Sequence, residues 1–167
     1  TSGDDGPIPH AGRPETGLPL SFAQARCWFL DQMEPGSAGY NMPMALEVAG
    51  PLDRAALARS IDLILARHEG LRTLCVVRDG EPRQIVVPAR AGILDVRAAA
   101  EPSGMQALAE AEARRPFDLT RDIPFRAALV PVGPARHLLL VTMHHIASDG
   151  WSMGVFLDEL ARFYAGF

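Results

Sequence analysis

Leu138-Leu139-Leu140-Val141-Thr142-Met143, with the segment that follows it, His144-His145-Ile146-Ala147-Ser148-Asp149-Gly150-Trp151-Ser152, decides the fold of this chain. The apolar run does not alternate with polar residues, which is typical of a strand buried on both faces and therefore central in its sheet. An Asp-Gly turn and the start of an amphipathic helix follow it. The two histidines therefore stand at a strand end, where packing can hold a proton acceptor still, and this predicts an acid–base site.

Short strands and helices alternate along the rest of the chain. Ser21 and Gln24 form a capping-box pattern, so a helix is expected to run to about Met33 with Trp28, Phe29 and Met33 facing inward. Further helices are expected after the N-cap Asp53, over 103–115 and from about Ser152. Strands are expected over 44–48, 71–77, 82–87, 93–96, 125–130 and 138–143, with Asp79-Gly80 closing a hairpin. The pattern predicts an α/β fold of four or five strands with three or four helices on the sheet.

Composition narrows the functional classes. The 167 residues are 48% hydrophobic and 22% charged with a formal net charge of −4, as in an ordinary single globular domain. There is no basic block, so nucleic acid and anionic membrane surfaces are not expected partners. The longest apolar run is too short to span a bilayer. Cys27 and Cys75 have neither metal nor redox spacing and are expected to be free thiols in a reducing compartment, which points to the cytoplasm.

The N-terminal residues differ in character from the rest of the chain. Residues 1–17 are rich in Gly, Pro and Asp and lack apolar periodicity, which predicts a flexible arm or linker before a domain over 18–167. The chain begins with Thr1 rather than Met, and we expect it to be a piece of something longer.

His144 and His145 are adjacent on a strand, so their rings are expected to point to opposite faces and not to share a metal ion. One ring can lie in the packed interior while the other faces a cleft. The alternative is that they are ordinary core histidines. Ser148 lacks the strand–turn–helix context of a nucleophilic serine, so a serine hydrolase is not favoured.

Asp149 has two interpretations that the residues leave open. It can cap the helix that follows, or it can pair with a buried arginine, for which Arg67, Arg72 or a partner outside the chain are candidates. Gly150 is expected to supply a backbone angle or a close approach that a side chain would forbid. Arg67 and Arg72 themselves stand at a helix C-terminus, where cations suit the helix dipole.

Three segments, in order, resemble the condensation domains of nonribosomal peptide synthetases. Residues 20–30 (Leu-Ser-Phe-Ala-Gln-Ala-Arg-Cys-Trp-Phe-Leu) are similar to the first motif of that family. Residues 67–73 (Arg-His-Glu-Gly-Leu-Arg-Thr) are similar to the second, and residues 143–152 carry its His-His-x-x-x-Asp-Gly signature. Pro116-Phe117-Asp118-Leu119 also fits the family. Cys27 and Cys75 depart from its usual Leu and Phe, at what look like core positions.

The resemblance implies a chloramphenicol acetyltransferase-like lobe with a mixed, mostly antiparallel sheet, matching the N-terminal lobe of a two-lobed domain whose C-terminal lobe is absent. It implies peptide bond formation between two thioesters that upstream and downstream carrier proteins hold on phosphopantetheine, beside an adenylation domain, with no cofactor bound by the chain itself. His145 would accept the amine proton or position the nucleophile, and His144 and Gly150 would shape the site. Asp149 would be structural, supported by Arg67, Arg72, Trp151 and Ser152.

Two rival functions share parts of this pattern. Epimerization domains carry the same histidine signature, but Trp151-Ser152-Met153 favours condensation. The rival from a different class is a non-catalytic lobe that docks carrier proteins or recruits partners without turnover.

Overall fold

The computed structural model describes residues 12, 14, 16–98 and 100–167, so most of the expected arm at 1–17 lies outside the described residues. Within these ranges the helices are α1 (Phe22–Met33), α2 (Arg54–Arg67), α3 (Met105–Arg114) and α4 (Gly150–Ala165). The strands are β1 (Leu18–Pro19), β2 (Asn41–Ala49), β3 (Thr73–Arg78), β4 (Glu81–Val86), β5 (Leu94–Val96), β6 (Phe125–Gly133) and β7 (Arg136–His144). None of the described helices has the length and apolar character needed to cross a membrane.

The main sheet has four strands in the order β2-β7-β6-β5. The pairs β2–β7 and β7–β6 are antiparallel, and β5 joins β6 in parallel. Strand β7 is therefore central, and its residues Leu138–His144 are all buried, as its unbroken apolar run predicts. The α/β class and the mixed, mostly antiparallel sheet are confirmed.

A second, smaller sheet has the order β1-β4-β3. Its hairpin closes at Asp79-Gly80, where the φ angles of 53° and 79° give the left-handed turn that matches strand twist. Sequence patterning predicted this hairpin but not β1, whose two residues pair with Arg83 and Gln84. A two-residue strand is too short to produce a recognisable alternation.

Helices cover both faces of the main sheet. On one face α2 and α4 pack against alternate residues of β6 and β7, with Ile61, Leu129 and Val141 fully buried at the centre. On the other face α3 covers Ala128, Val130 and Leu140. This packing holds the end of β7, where the histidines lie, between two layers of helix.

Helix α1 begins as predicted but buries less than predicted. The Ser21 hydroxyl accepts from the Gln24 amide while the Gln24 side chain accepts from the Ser21 amide, so the capping box is formed. Trp28 is buried, but the prediction for Phe29 and Met33 was wrong, because they are 61% and 66% exposed. The helix packs through the side that carries Trp28, and apolar spacing shows which residues share a face but not which face is covered.

Candidate active site

His144 is the last residue of β7 and is only 2% exposed. Its backbone N–H donates to the Pro124 carbonyl at 3.0 Å, and its ring Nδ1 accepts from the Ile146 amide at 3.1 Å. Burial lowers the pKa of His144 to about 4, with smaller contributions from the positive charges of His145 and Arg126. The ring is therefore neutral near pH 7, and its proton lies on Nε2 because Nδ1 accepts the amide.

His145 follows the last residue of β7 and is exposed, so one ring is buried and the other is accessible, as expected. Its backbone N–H donates to the Tyr40 carbonyl at 2.9 Å, and its ring stacks on the Tyr40 ring with 6.5 Å between centroids. Its Nδ1 lies 2.6 Å from the Ser148 carbonyl oxygen. A carbonyl can only accept, so Nδ1 carries the proton and the neutral ring keeps a lone pair on Nε2.

The turn that follows His144 packs against a buried apolar cluster. Ile146 is buried in a cluster with Trp28, Cys75, Phe117 and Leu119, so the first and third motif segments are in contact. The Ser148 hydroxyl donates to the His144 carbonyl at 3.1 Å. Because both ends of the turn are tied, the Ser148 carbonyl stays where it can fix the tautomer of His145.

Asp149 caps α4. Its Oδ1 accepts from the Ser152 amide at 2.8 Å and from the Ser152 hydroxyl at 2.6 Å, and its own amide donates back to that hydroxyl. These hydrogen bonds hold the pKa of Asp149 below its usual value. Of the two interpretations, the structure shows the helix cap. The Arg67 and Arg72 candidates for an ion pair are wrong within the described residues, since both bind other groups.

Gly150 does not have the conformation expected of it. It is the first residue of α4 and its φ is not in the left-handed region. A Cβ built on it would meet no described atom within 4 Å. The expectation of a special angle or close approach is therefore wrong within the described part of the chain, because an N-terminal helical position is open to any residue.

Arg67 and Arg72 separate at the end of α2. Arg67 Nε lies 3.2 Å from Glu159 Oε1 on α4, and the neighbouring His68 Nε2 lies 2.6 Å from Glu159 Oε2. Arg72 turns away and donates to the carbonyls of Leu65 at 3.1 Å and Val87 at 2.6 Å. The second motif segment thus ties α2 to α4 on one side and to β4 on the other.

A cleft of about 460 Å³ joins the second and third motif segments. Arg67 and His68 line one wall, while Ser152 and Trp151, which is 84% exposed, line the other. Met143 and Ala147 form part of its floor. The cleft is next to the histidine turn and is large enough for an organic substrate group.

The sequence did not point to Tyr40, Glu112 or Arg126. Tyr40 lies opposite His145 because Asn41 pairs with His144, a register that only the β2–β7 pairing reveals. Arg126 stacks on Phe117 and pairs with the buried Glu112. The Phe117 ring meets the His144 ring edge to face, with 5.9 Å between their centroids. A buried glutamate in a helix of alternating Ala and Glu has no sequence signal that separates it from its exposed neighbours. Among residues 16–98 and 100–167, no cluster of His, Cys, Asp and Glu side chains is placed to hold a metal ion.

Comparison with known proteins identifies a family model and sequence relatives that agree with one another. The family model described as "Condensation domain" matches residues 15–167. The chain is 42% identical over 167 residues to part of a linear gramicidin synthase from Brevibacillus parabrevis, matching 96% of this chain and 2% of that protein. It is 46% identical over 164 residues to a probable non-canonical nonribosomal peptide synthetase of Salinispora arenicola, matching 98% of this chain and 2% of that protein.

Solved structures agree with the sequence relatives. The X-domain from teicoplanin biosynthesis superposes with a TM-score of 0.84 at 35% identity, covering 93% of this chain and 33% of that chain. The same domain has also been solved in a complex with OxyB. The chain therefore spans about a third of that structure and a small part of its curated relatives.

Proposed function

The chain belongs to the condensation domain family, and from this we propose that it forms peptide bonds in nonribosomal peptide synthesis. The α-amine of an acceptor aminoacyl thioester would attack the carbonyl carbon of a donor acyl or peptidyl thioester. A C–N bond forms, the C–S bond of the donor breaks, and the proton lost by the amine ends on the released thiol.

The observation that carries the proposal is the tautomer of His145. Because Ser148 holds the proton on Nδ1, Nε2 is the atom that can accept a proton or hydrogen bond from the attacking amine. His145 is exposed, so a substrate can reach it, whereas neutral, buried His144 supports the turn from inside. Holding two tethered thioesters beside this ring would supply further rate acceleration through proximity.

The proposed partners follow from the same chemistry. Both substrates would arrive on the phosphopantetheine arms of an upstream and a downstream carrier protein, and an adenylation domain would load the latter. His145 and Trp151 lie on an open surface of the described chain. We therefore propose that a second lobe covers this surface and completes a channel, as the one-third coverage of the X-domain structure suggests.

The test is a condensation assay read by intact-protein mass spectrometry. Two carrier proteins loaded with aminoacyl thioesters are mixed with the chain, with and without a separately supplied second lobe. Dipeptide on the acceptor carrier that disappears with His145→Ala supports the proposal. Product that persists unchanged in that variant, under conditions where both proteins are folded, contradicts it.

Two further variants separate the roles of His145. His145→Asn can still donate to the Ser148 carbonyl but has no group at the position of Nε2. His145→Gln can place an amide oxygen near that position, where it accepts a hydrogen bond but is not a base. A general base predicts that both variants lose about 10²-fold or more in rate. A positioning role predicts that Gln retains much of the activity that Asn loses.

The alternative is a lobe that only docks partner proteins. Its support is the X-domain structure in complex with OxyB, a relative that binds a partner protein. On this alternative, a complete two-lobed protein binds loaded carriers and forms no dipeptide, and His145→Ala leaves the binding unchanged.

A further inference from the structure

A second cleft, of about 420 Å³, is lined by Arg72 of the 67–73 segment and by neither of the two adjacent histidines. It is formed by the end of α2, the loop that follows β4, and the residues that lead into β6. Five arginines line it together with apolar residues, and Asp122 is the one acidic residue among the described lining positions. The arginines are Arg72, Arg90, Arg115, Arg121 and Arg126. Such a concentration of positive charge is unexpected on a chain whose formal net charge is −4.

Two of these arginines are used by the fold. Arg72 donates to the carbonyls of Leu65 and Val87. Arg126 donates to Glu112 at 2.9 Å and to the carbonyls of Arg115 and Pro116. Both are also paired with carboxylates, Arg72 with Glu69 at 3.3 Å and Arg126 with Glu112, so their charges are largely offset within the fold.

The other three lining arginines, Arg90, Arg115 and Arg121, have few partners within the fold. Within the described residues, Arg90 and Arg115 make no side-chain hydrogen bond or ion pair. Arg121 approaches Asp118 only at 3.9 Å and is 85% exposed. Asp122 places one negative charge in this cleft, and its Oδ2 also accepts from the Asp118 amide at 3.0 Å. Arg90 and Arg115 are therefore the two lining guanidinium groups that no described carboxylate pairs with, and they are available to an anion.

The shape of the cleft specifies the anion further. Its floor is apolar and includes Leu65, Leu74, Ile93 and Phe125. Inorganic phosphate would fill only a fraction of this volume and would leave the floor without contact. A phosphate ester whose organic part lies on the floor satisfies both surfaces, because the guanidinium fork matches phosphate oxygens in pairs.

The cleft also lies at the functional end of the sheet. Phe125 in its floor pairs across β6–β7 with Met143, two residues before His145. We propose that this arginine-lined cleft is a binding site for a phosphate ester, with Arg90 and Arg115 as its principal ligands. The ester comes either from the phosphopantetheine arm of a carrier protein, a source that rests on the proposed function, or from a free phosphate-bearing metabolite.

The test measures binding and involves no peptide bond formation, so it fails or succeeds separately from the proposed activity. Isothermal titration calorimetry compares pantetheine 4′-phosphate with pantetheine, which lacks only the phosphate. We expect pantetheine 4′-phosphate to bind at least about tenfold more tightly than pantetheine, because hydrogen bonds between charged groups are strong. The preference should weaken as the salt concentration rises. Equal binding of the two compounds would overturn the proposal.

The variants locate the site. Arg90→Gln combined with Arg115→Gln should remove the preference for the phosphate, and since neither side chain bonds within the fold, the variant should unfold like the parent chain. Arg78→Gln, which removes an exposed arginine at the hairpin outside the cleft, is the matched control and should bind like the parent. An undiminished preference in the double variant would contradict the assignment.

Carrier proteins then identify the source. A holo-carrier that binds more tightly than its apo form, with the difference lost in the double variant, identifies the carried arm. Binding of the free phosphate ester without any holo–apo difference identifies a free metabolite. Arginine-dependent binding of the apo-carrier that the arm does not improve would mean that the cleft recognises an acidic protein surface, and would overturn the phosphate-ester site.

Discussion

Replacing Glu112 with glutamine should destabilise the chain more than any other single change of charge among the residues described. Glu112 lies on α3 and is 5% exposed. Its Oε2 accepts from Arg97 at 2.6 Å and its Oε1 accepts from Arg126 at 2.9 Å. Glu112→Gln keeps the shape but removes the charge that neutralises two partly buried guanidinium groups.

The expected loss of stability depends on the hydrogen-bond partners that each arginine keeps. Removing one partner of a buried ion pair costs about 3–5 kcal/mol. Arg97 retains Asp95 at 2.9 Å, and Arg126 retains two carbonyls, so we expect the lower end, about 3 kcal/mol. For a chain of this size that corresponds to a Tm lowered by roughly 6–12 °C. Urea denaturation, monitored by circular dichroism, measures the free energy of unfolding, and calorimetry measures the Tm.

The loss of stability caused by Glu112→Gln must also depend on pH. Burial raises the pKa of Glu112, but the hydrogen bonds and charges of Arg97 and Arg126 outweigh it, so the pKa lies below its usual value. A lowered folded-state pKa contributes stability that is present above the unfolded-state value and is lost as pH falls through the folded-state pKa. The difference between parent and variant should therefore shrink in acid.

A matched control lies on the same helix. Glu110 makes an exposed i,i+4 pair with Arg114, so Glu110→Gln should cost less than about 0.5 kcal/mol. The reasoning would be refuted if Glu112→Gln lost no more unfolding free energy than Glu110→Gln. A loss that stays the same from neutral to acidic pH would also refute it.

Three further predictions concern single groups. The ring of His144 should titrate near its lowered pKa of about 4 in NMR spectra; a midpoint near 6.5 would show that its burial has no effect. Burial, with a small contribution from Asp31, raises the pKa of the Cys75 thiol to about 12, so a thiol reagent should modify Cys75 only on unfolding; rapid native-state labelling would contradict this. Asp53→Ala removes the acceptor for the Ala55 and Ala56 amides and should cost about 1 kcal/mol in urea denaturation, whereas an unchanged midpoint would argue against the cap.

Local signals predicted the elements of this fold well. The capping box at Ser21, the Asp79-Gly80 turn and the central position of β7 each depend on a few adjacent residues, and each was confirmed. The inward orientation of Phe29 and Met33 was wrong because it depends on which neighbours cover α1. That information lies in the tertiary packing and not in the spacing of the helix.

The same division between local and tertiary information holds at the candidate active site. The expectation that one histidine ring is buried and the other is accessible was confirmed. The Asp149 cap was one of two open interpretations, and hydrogen bonds to Ser152 identify it. The contact of Tyr40 with His145 was not predictable, since it requires the β2–β7 register, which joins residues about a hundred positions apart. The roles of His145 in catalysis and of Arg67 and Arg72 beyond the fold stay predictions.

The central position of β7 also determines how the protein can move near its site. Strands β2 and β6 pair with β7 along its length, so its amide protons should be among the slowest in the chain to exchange with solvent. The histidine turn is attached directly to this strand, and the His145 amide itself is bonded to Tyr40. We therefore expect any rearrangement that admits a substrate to involve the exposed side of α4 and not β7. We therefore expect the ring of His145, the proposed catalytic residue, to belong to the cooperative unit that opens last.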